Sequence, residues 1–263
     1  MYDFTYAKPG SVADAVALLG GDMDAKALAG GQTFIPVLKQ RLNKPSQIVD
    51  LSALNLAGIK REGDKVVIGA MSTHHMIEGA PEIVQAIPGL AKMASWIGDT
   101  QVRHRGTMGG SLANNDPASC YPAAALALGA TIRTDKRAIA ADDYFQGMFT
   151  TALEPGEIIT AVEFPIPEKS NYEKFRNPAS RYAMVGVFVA KGPAGVRVAI
   201  TGAGQDGVFR QTEMEQALAS NWSPDALKGI TVSPDGLNSD IHGSAEYRAH
   251  LIGVMARRAV AGA

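Results

Sequence analysis

Cysteine is nearly absent from this sequence: Cys120 is the only one in 263 residues. One thiol forms no internal disulfide, and a zinc-ribbon or iron–sulfur site needs about four thiolate or imidazole ligands. Any iron–sulfur cluster that serves this protein is therefore expected on another chain. Histidines are few, five in all, and no HExxH pattern occurs. His74 and His75 are adjacent, so on a helix or strand their side chains diverge and cannot share one metal. They read as polar residues at a strand-to-helix corner, and no metal site is expected on this chain.

Charge of one sign is lacking too. Lys and Arg total 25 against 26 Asp and Glu, a formal balance of −1. The densest positive stretch is Arg103-His104-Arg105. A nucleic-acid grip driven by counterion release needs a basic surface, so that class is excluded. No run approaches the roughly 20 apolar residues of a membrane span. Met1-Tyr2-Asp3-Phe4 lacks the basic and apolar regions of a secretory signal, so the expected location is the cytoplasm. With 46% hydrophobic and 19% charged residues the chain can bury a sizeable core.

What is present reads as alternating strands and helices. Ser11 with Asp14 makes a capping-box-like start, Val12, Ala15, Val16, Leu18 and Leu19 follow, and Gly20-Gly21 stops the helix. A strand near Lys26–Ala29 runs into Gly30-Gly31-Gln32-Thr33, where Thr33 is placed to cap a helix carrying Phe34, Ile35, Val37, Leu38 and Leu42. Gln47–Leu51 then reads as a buried strand, completing a βαβ unit. Lys65–Ala70 is strand-like, Pro81–Trp96 helical with a break at Pro88-Gly89, and Pro122–Leu128 an apolar helix closed by Gly129. Thr131–Arg133 and Ile139–Ala141 pair around Asp135-Lys136, and Glu163–Glu168 is proline-punctuated like a boundary. The last part differs. Tyr182–Ala190 and Val196–Thr201 form a hairpin, and helical patterns follow at Glu213–Ala219, Pro224–Leu227 and Glu246–Val260, which argues for α+β.

Two glycine loops carry the chemical signal. Ala29-Gly30-Gly31-Gln32-Thr33 lies between a strand and a helix start, where amides without a neighbouring Cβ approach an anion closely. The second is Thr107-Met108-Gly109-Gly110-Ser111, preceded by Arg103 and Arg105. Either alone is ordinary turn chemistry; together they suggest a pyrophosphate gripped from two sides. Gly202-Ala203-Gly204-Gln205-Asp206-Gly207 matches GxGxxG, but no helix opens at its third glycine, so it reads as a turn ending a strand. Gly109-Gly110-Ser111-Leu112-Ala113 is not a GxSxG elbow, and the next capping box is Thr212…Glu215. Cys120 with His104 makes no convincing dyad, so the chemistry points to a bound cofactor.

The motifs Ala29–Pro36, Ile97–Arg103 and Gly106–Ala118 resemble the FAD-binding medium subunit of molybdenum hydroxylases, the family of xanthine dehydrogenase and aerobic carbon monoxide dehydrogenase. So do the late Asp240–Arg248 and the opening Phe4-x-Tyr6-x-x-Pro9-x-Ser11. The resemblance implies an α+β fold of the p-cresol-methylhydroxylase type. Two lobes, residues 1–56 and 57–168, would clasp FAD, with a C-terminal domain of antiparallel sheet and helices over 169–263. By the same resemblance, Ala29, Gly30, Gly31, Gln32, Thr33, Thr107, Met108, Gly109, Gly110 and Ser111 would hold the pyrophosphate. Ile97 would pack on the isoalloxazine, Tyr182 would shield it, Asp116 would meet a ribityl or ribose hydroxyl, and Lys174 would approach the flavin edge. Asp116 reads equally well as a cap on the turn before Pro117. Cys120 stands where relatives often carry a cofactor-contacting Asp, and Gln32 where carbon monoxide dehydrogenases tend to carry His.

The implied activity is electron transfer. A large subunit with molybdenum cofactor would oxidise substrate, and two 2Fe–2S clusters on a small subunit would feed FAD on this chain. An external acceptor, quinone or NAD+, would follow, in a dimer of heterotrimers. A free-standing flavin reductase of related fold and a non-enzymatic nucleotide-binding module remain open alternatives.

Overall fold

The computed structural model describes residues 1–263. Its first sheet comes from β1 (Thr5–Ala7), α1 (Val12–Gly20), β2 (Lys26–Leu28), α2 (Phe34–Lys39) and β3 (Gln47–Asp50). Ser11 caps α1, its hydroxyl accepting the Asp14 N–H at 3.1 Å while donating to the Asp14 carboxylate at 2.6 Å. The strands lie β1-β3-β2, all parallel, so β2–α2–β3 is the expected βαβ unit. Thr33 departs from expectation and makes no side-chain cap bond. Its backbone, at φ −101° and ψ −48°, is already helical, whereas a capping side chain reaches back only from an extended residue. Leu42 lies beyond the helix, exposed.

The second sheet is antiparallel and five-stranded. It begins with β4 (Ile59–Glu62) and β5 (Lys65–Gly69), then departs into six helices. These are α3 (His74–Gly79), α4 (Pro81–Ala86), α5 (Pro88–Ser95), α6 (Thr100–Arg105), α7 (Met108–Asn114) and α8 (Tyr121–Leu128). The chain returns through β6 (Thr131–Thr134), β7 (Ala138–Ala140), α9 (Ala141–Tyr144), the small hairpin β8 (Phe145–Gly147) and β9 (Thr150–Thr151), and β10 (Ile159–Pro165). The order β4-β5-β10-β6-β7 makes β10 central. The proline-punctuated stretch is therefore not wholly a boundary. Glu163 sits mid-sheet, bonded to Lys65 at 3.0 Å and Arg133 at 2.6 Å.

A third sheet follows as a meander: β11 (Lys169–Arg176), β12 (Ala183–Gly192), β13 (Gly195–Gly204) and β14 (Gly207–Arg210), then α10 (Thr212–Ser220) and α11 (Ala245–Ala261). The GxGxxG look-alike is the β13–β14 turn, as expected. Thr212 and Glu215 form no capping box. Glu215 instead accepts the Val198 N–H at 3.0 Å and pairs with Arg210 at 2.6 Å, which draws it away from the helix start. β12 is buried on both faces because strand side chains alternate. Val185, Val187 and Val189 join Met214 and Ile252 in the core with α10 and α11, while Phe188 and Ala190 join the core that contains α8. The second and third sheets thus share apolar contacts across α8. No helix is long and apolar enough to cross a membrane.

Candidate functional site

The two glycine bends meet. Gly31 has φ +71°, a left-handed conformation that glycine adopts without a Cβ clash, and so turns β2 toward α2. Gly30 lies directly on the backbone of Arg105 and Gly106. A β-carbon there would fall 2.8 Å from Gly106 Cα and nearer still to the Arg105 carbonyl oxygen. A β-carbon on Gly110 would sit 3.4 Å from the Ala29 side chain. Segments 29–33 and 105–111 therefore form one wall, although some 75 residues of chain separate them.

Their hydrogen bonding differs. The N–H groups of Gly30, Gly31, Gln32 and Thr33 meet no acceptor on the chain; the bend's side-chain bond runs from Gln32 Nε2 to the Gly30 carbonyl at 3.2 Å. In the second bend the Met108 N–H donates to the Ser72 carbonyl at 3.1 Å and that of Gly109 to Ala70 at 2.8 Å. The Gly110 N–H reaches the Thr107 hydroxyl at 3.2 Å. Gly109 lets α7 lie against the end of β5, where a β-carbon would strike Ala70 at 2.6 Å. The symmetric pair of amide cradles expected from sequence is thus an asymmetric one. Free donors lie on the first bend; the second supplies a close-packed floor.

Hydroxyls extend that floor. Ser111 Oγ and Ser119 Oγ are 2.5 Å apart, and Thr201 donates to the Pro117 and Ser119 carbonyls. Ser119 was not legible as a site residue, although the Asp116-Pro117-Ala118-Ser119 turn that presents it was a visible signal. Asp116 closes that turn, accepting the Ala118 N–H on Oδ1 at 2.8 Å.

Ile97 begins the other end of the wall. Asp99 caps α6 by accepting the Val102 N–H at 2.9 Å, and Arg103 donates to the Ile97 carbonyl at 3.2 Å. Six residues of α6, about 9 Å of helix, separate this turn from Gly106. Tyr182 is brought to the same end, because Arg181 Nη1 donates to the Gly98 carbonyl at 3.4 Å. The Arg176 guanidinium stacks 4.1 Å from the Trp96 ring centroid.

Lys174 and Cys120 lie behind this turn, both buried. Lys174 Nζ donates to the Trp96 carbonyl at 2.7 Å and stands 3.6 Å from Cys120 Sγ, which also accepts the Tyr172 hydroxyl at 3.2 Å. Burial, with Cys120 beside it, pushes the Tyr172 phenol well above its usual range. His74 opens α3 from beneath Gly106, its Nδ1 3.2 Å from the Tyr121 hydroxyl. Burial and then the Arg103 charge bring it down to about 4, so it is neutral. His75 stacks on His104, centroids 3.9 Å apart. Neither histidine of the His74-His75 pair belongs to a metal-ligating cluster.

Residues 2–167 match the family model described as the FAD binding domain in molybdopterin dehydrogenase. The chain belongs to that family. It carries an FAD-binding domain of an oxidoreductase subunit, and the resemblance seen in the motifs holds. Over 98% of its length the chain is 36% identical to the carbon monoxide dehydrogenase medium chain of Afipia carboxidovorans, of which it covers 95%. It is 37% identical to the nicotine 6-hydroxylase medium subunit of Paenarthrobacter nicotinovorans, over 97% of this chain and 95% of that one. The solved structure of reconstituted CO dehydrogenase from Oligotropha carboxidovorans matches with a TM-score of 0.90 at 37% identity, over 98% of this chain and 96% of the other. The α+β architecture expected from sequence is the one these family structures share.

Proposed function

We propose that this chain is the electron-transfer medium subunit of a molybdenum hydroxylase complex in the cytoplasm. It receives electrons from 2Fe–2S clusters on a small subunit and passes them through FAD to quinone or NAD+. A large molybdenum-binding subunit oxidises the substrate, and the assembly is a dimer of heterotrimers. Residues 1–56 and 57–168 are the two lobes that hold the cofactor, and 169–263 the C-terminal domain.

The observation that carries this reading is the seating of Gly30 on Arg105–Gly106, beside four backbone N–H groups that have no acceptor on the chain. Gly30 and Gly31 are half-buried, Gln32 and Thr33 exposed; half-buried donors are normally paired, so a bend that leaves its amides open fits an anionic ligand. In this reading the Gly30–Thr33 amides hold the diphosphate, with the Thr107–Ser111 segment, Met108 and Gly109 included, as its floor. Ser111 and Ser119 offer hydroxyls beside it. Asp116 keeps one carboxylate oxygen for a sugar hydroxyl, since Oδ1 is taken by Ala118. Ile97 offers an apolar surface to the ring and Tyr182 covers it from the C-terminal side. Lys174 fixes the carbonyl of Trp96 and so the height of the Ile97 turn, while Cys120 supports Lys174 from within. FAD, when bound, supplies the capacity to accept and release electrons; the residues bind it, orient it and exclude water.

The test is reconstitution of the full chain with FAD, followed by co-purification. Flavin absorbance that elutes with the chain, together with recovery of a molybdenum subunit and a cysteine-rich small subunit, supports the reading. NADPH oxidation by the chain alone would favour a free-standing reductase. No uptake of FAD would favour a nucleotide-binding or assembly module.

A further inference from the structure

Tyr182 is held by one residue, Asn177, whose every polar atom is engaged. The Asn177 N–H donates to the Tyr182 carbonyl and its own carbonyl accepts the Arg181 N–H, both at 2.9 Å. Its Oδ1 accepts the Ala179 N–H at 2.9 Å. An N–H is a donor only, so this bond fixes which end of the amide is oxygen. Nδ2 is then the end that meets the Tyr182 hydroxyl at 3.2 Å and His242 Nδ1 at 3.4 Å. Asn177 is buried, and its turn tightens over Arg181, which has φ +63°.

His242 closes the turn from outside. Its ring packs edge-on to that of Tyr182, centroids 6.2 Å apart at 74°. Facing the Nδ2 donor, His242 Nδ1 must carry a lone pair, which it does only in the neutral imidazole. The His242 turn is itself anchored. Asp240 accepts the His242 N–H at 2.8 Å and pairs with the buried Arg248 at 2.8 Å. Arg248 in turn donates to the Met184 and Gly202 carbonyls, on β12 and β13. Among the charged groups around His242, Asp240 is thus engaged with Arg248, and Arg181 reaches away to Gly98. Tyr182 and Tyr247 are the other titratable neighbours, the latter packed against Gly243.

We infer that His242, acting through Asn177, is a positioning residue for Tyr182 and that protonating His242 releases the 177–182 turn. A proton on Nδ1 sets donor against donor. The Asn177 amide cannot answer by flipping, because Oδ1 would abandon Ala179 and Nδ2 would abandon Tyr182. Where Tyr182 lies against the flavin, as in the function proposed above, acid therefore uncovers that face of the ring. The turn's response to His242 does not itself depend on that function.

Hydrogen exchange on the full chain, read at the Ala179 and Arg181 amides, tests this. His242→Phe keeps the ring but removes the acceptor, and exchange at both amides should rise about fivefold, as for one lost hydrogen bond. His242→Gln, which carries an acceptor oxygen, should recover most of the protection. As the pH is lowered from about 8 and the imidazole takes up a proton, the ratio of His242→Phe to wild-type rates at equal pH should fall toward one. Equal rates in wild type and His242→Phe at about pH 8, or a ratio that ignores pH, overturn the inference. Flavin fluorescence of the reconstituted chain separates the two layers. Faster exchange with unchanged flavin emission leaves His242 in its role and refutes the placement of Tyr182 on the flavin.

Discussion

Gly30 and Arg105 touch backbone to backbone: the place a side chain would occupy on the first is filled by the carbonyl of the second. The sequence suggests that Gly30 is glycine so that a ligand can approach. The structure gives a different reason. The missing Cβ lets two segments of the protein approach each other, beside a helix start whose amides stay free.

Substitution at Gly30 therefore acts on the wall before it acts on any ligand. Gly30→Ala should cost about 1–3 kcal/mol of stability, in the range of overpacked sites, and should abolish flavin retention on gel filtration. Gly30→Val should do the same more severely. At Gly110 a β-carbon would meet Thr107 Oγ1 at 2.9 Å and Ala29 at 3.4 Å, so alanine there should be milder and valine should again lose flavin. Full flavin occupancy in both valine variants would dismantle the two-bend site.

Cys120 is engaged within the protein. Its sulfur receives the Tyr172 hydroxyl and the Lys174 ammonium in the buried layer behind Trp96. Cys120→Ser preserves an acceptor, so FAD affinity should stay within a factor of about two. Cys120→Val leaves both donors facing a methyl group. It should cost about 2 kcal/mol in urea unfolding, the penalty of a buried polar group left unpaired. A large loss of FAD in the serine variant, with stability intact, would mean that the thiol contacts cofactor directly.

How far the sequence discloses this molecule depends on where each signal is stored. α1 and the β2–α2–β3 unit are legible because capping, apolar spacing and glycine stops lie within a few residues of one another. The 98–116 stretch is glycine-rich, yet it contains α6 and α7. Gly106, Gly109 and Gly110 are explained by packing on His74, Ala70 and Ala29, contacts that no local window contains. β11 was missed because its inward residues are Ser170, Asn171, Tyr172 and Lys174. Their polarity is answered by partners far along the chain, such as the Ala259 carbonyl on Asn171 at 2.9 Å. The same distance hid the role of Glu215. Both glycine bends were visible; that one of them commits amides to the Ala70 and Ser72 carbonyls just past β5 was not.

His74 gives the fold an acid-side weakness of its own. Buried beneath Gly106, it titrates at about 4 against an ordinary 6.5, so the unfolded chain binds its proton first. Stability from this group is complete above about pH 6.5 and declines as pH falls toward about 4, a loss on the order of 3 kcal/mol. The shifted carboxylates are all lowered, Glu157 to about 2 by its bond to Arg137, and so act below about pH 4.5. Over the interval from 6.5 to 4.5 the main loss is that of His74. Urea midpoints of wild type should fall across it, and those of His74→Gln should stay nearly flat. Parallel curves would place the weakness elsewhere.

The hairpin that follows α9 hangs on Asn115. This buried residue ends α7 with φ +42°, and its Nδ2 donates to the carbonyls of Gly147 and Thr150, each at 2.8 Å. Its own carbonyl accepts the N–H of Phe149, an exposed aromatic that is also left-handed at φ +55°. Asn115→Ala therefore combines two losses: about 1 kcal/mol for placing an ordinary side chain in the left-handed region, and about 1 kcal/mol for each carbonyl left unpaired. Asn115→Gly removes the first loss and keeps the second. The glycine variant should thus stand between alanine and wild type in urea unfolding, with the β8–β9 amides exchanging faster in both. Should glycine restore wild-type stability in full, the backbone conformation alone would account for Asn115, and the two side-chain bonds would contribute nothing to holding the hairpin.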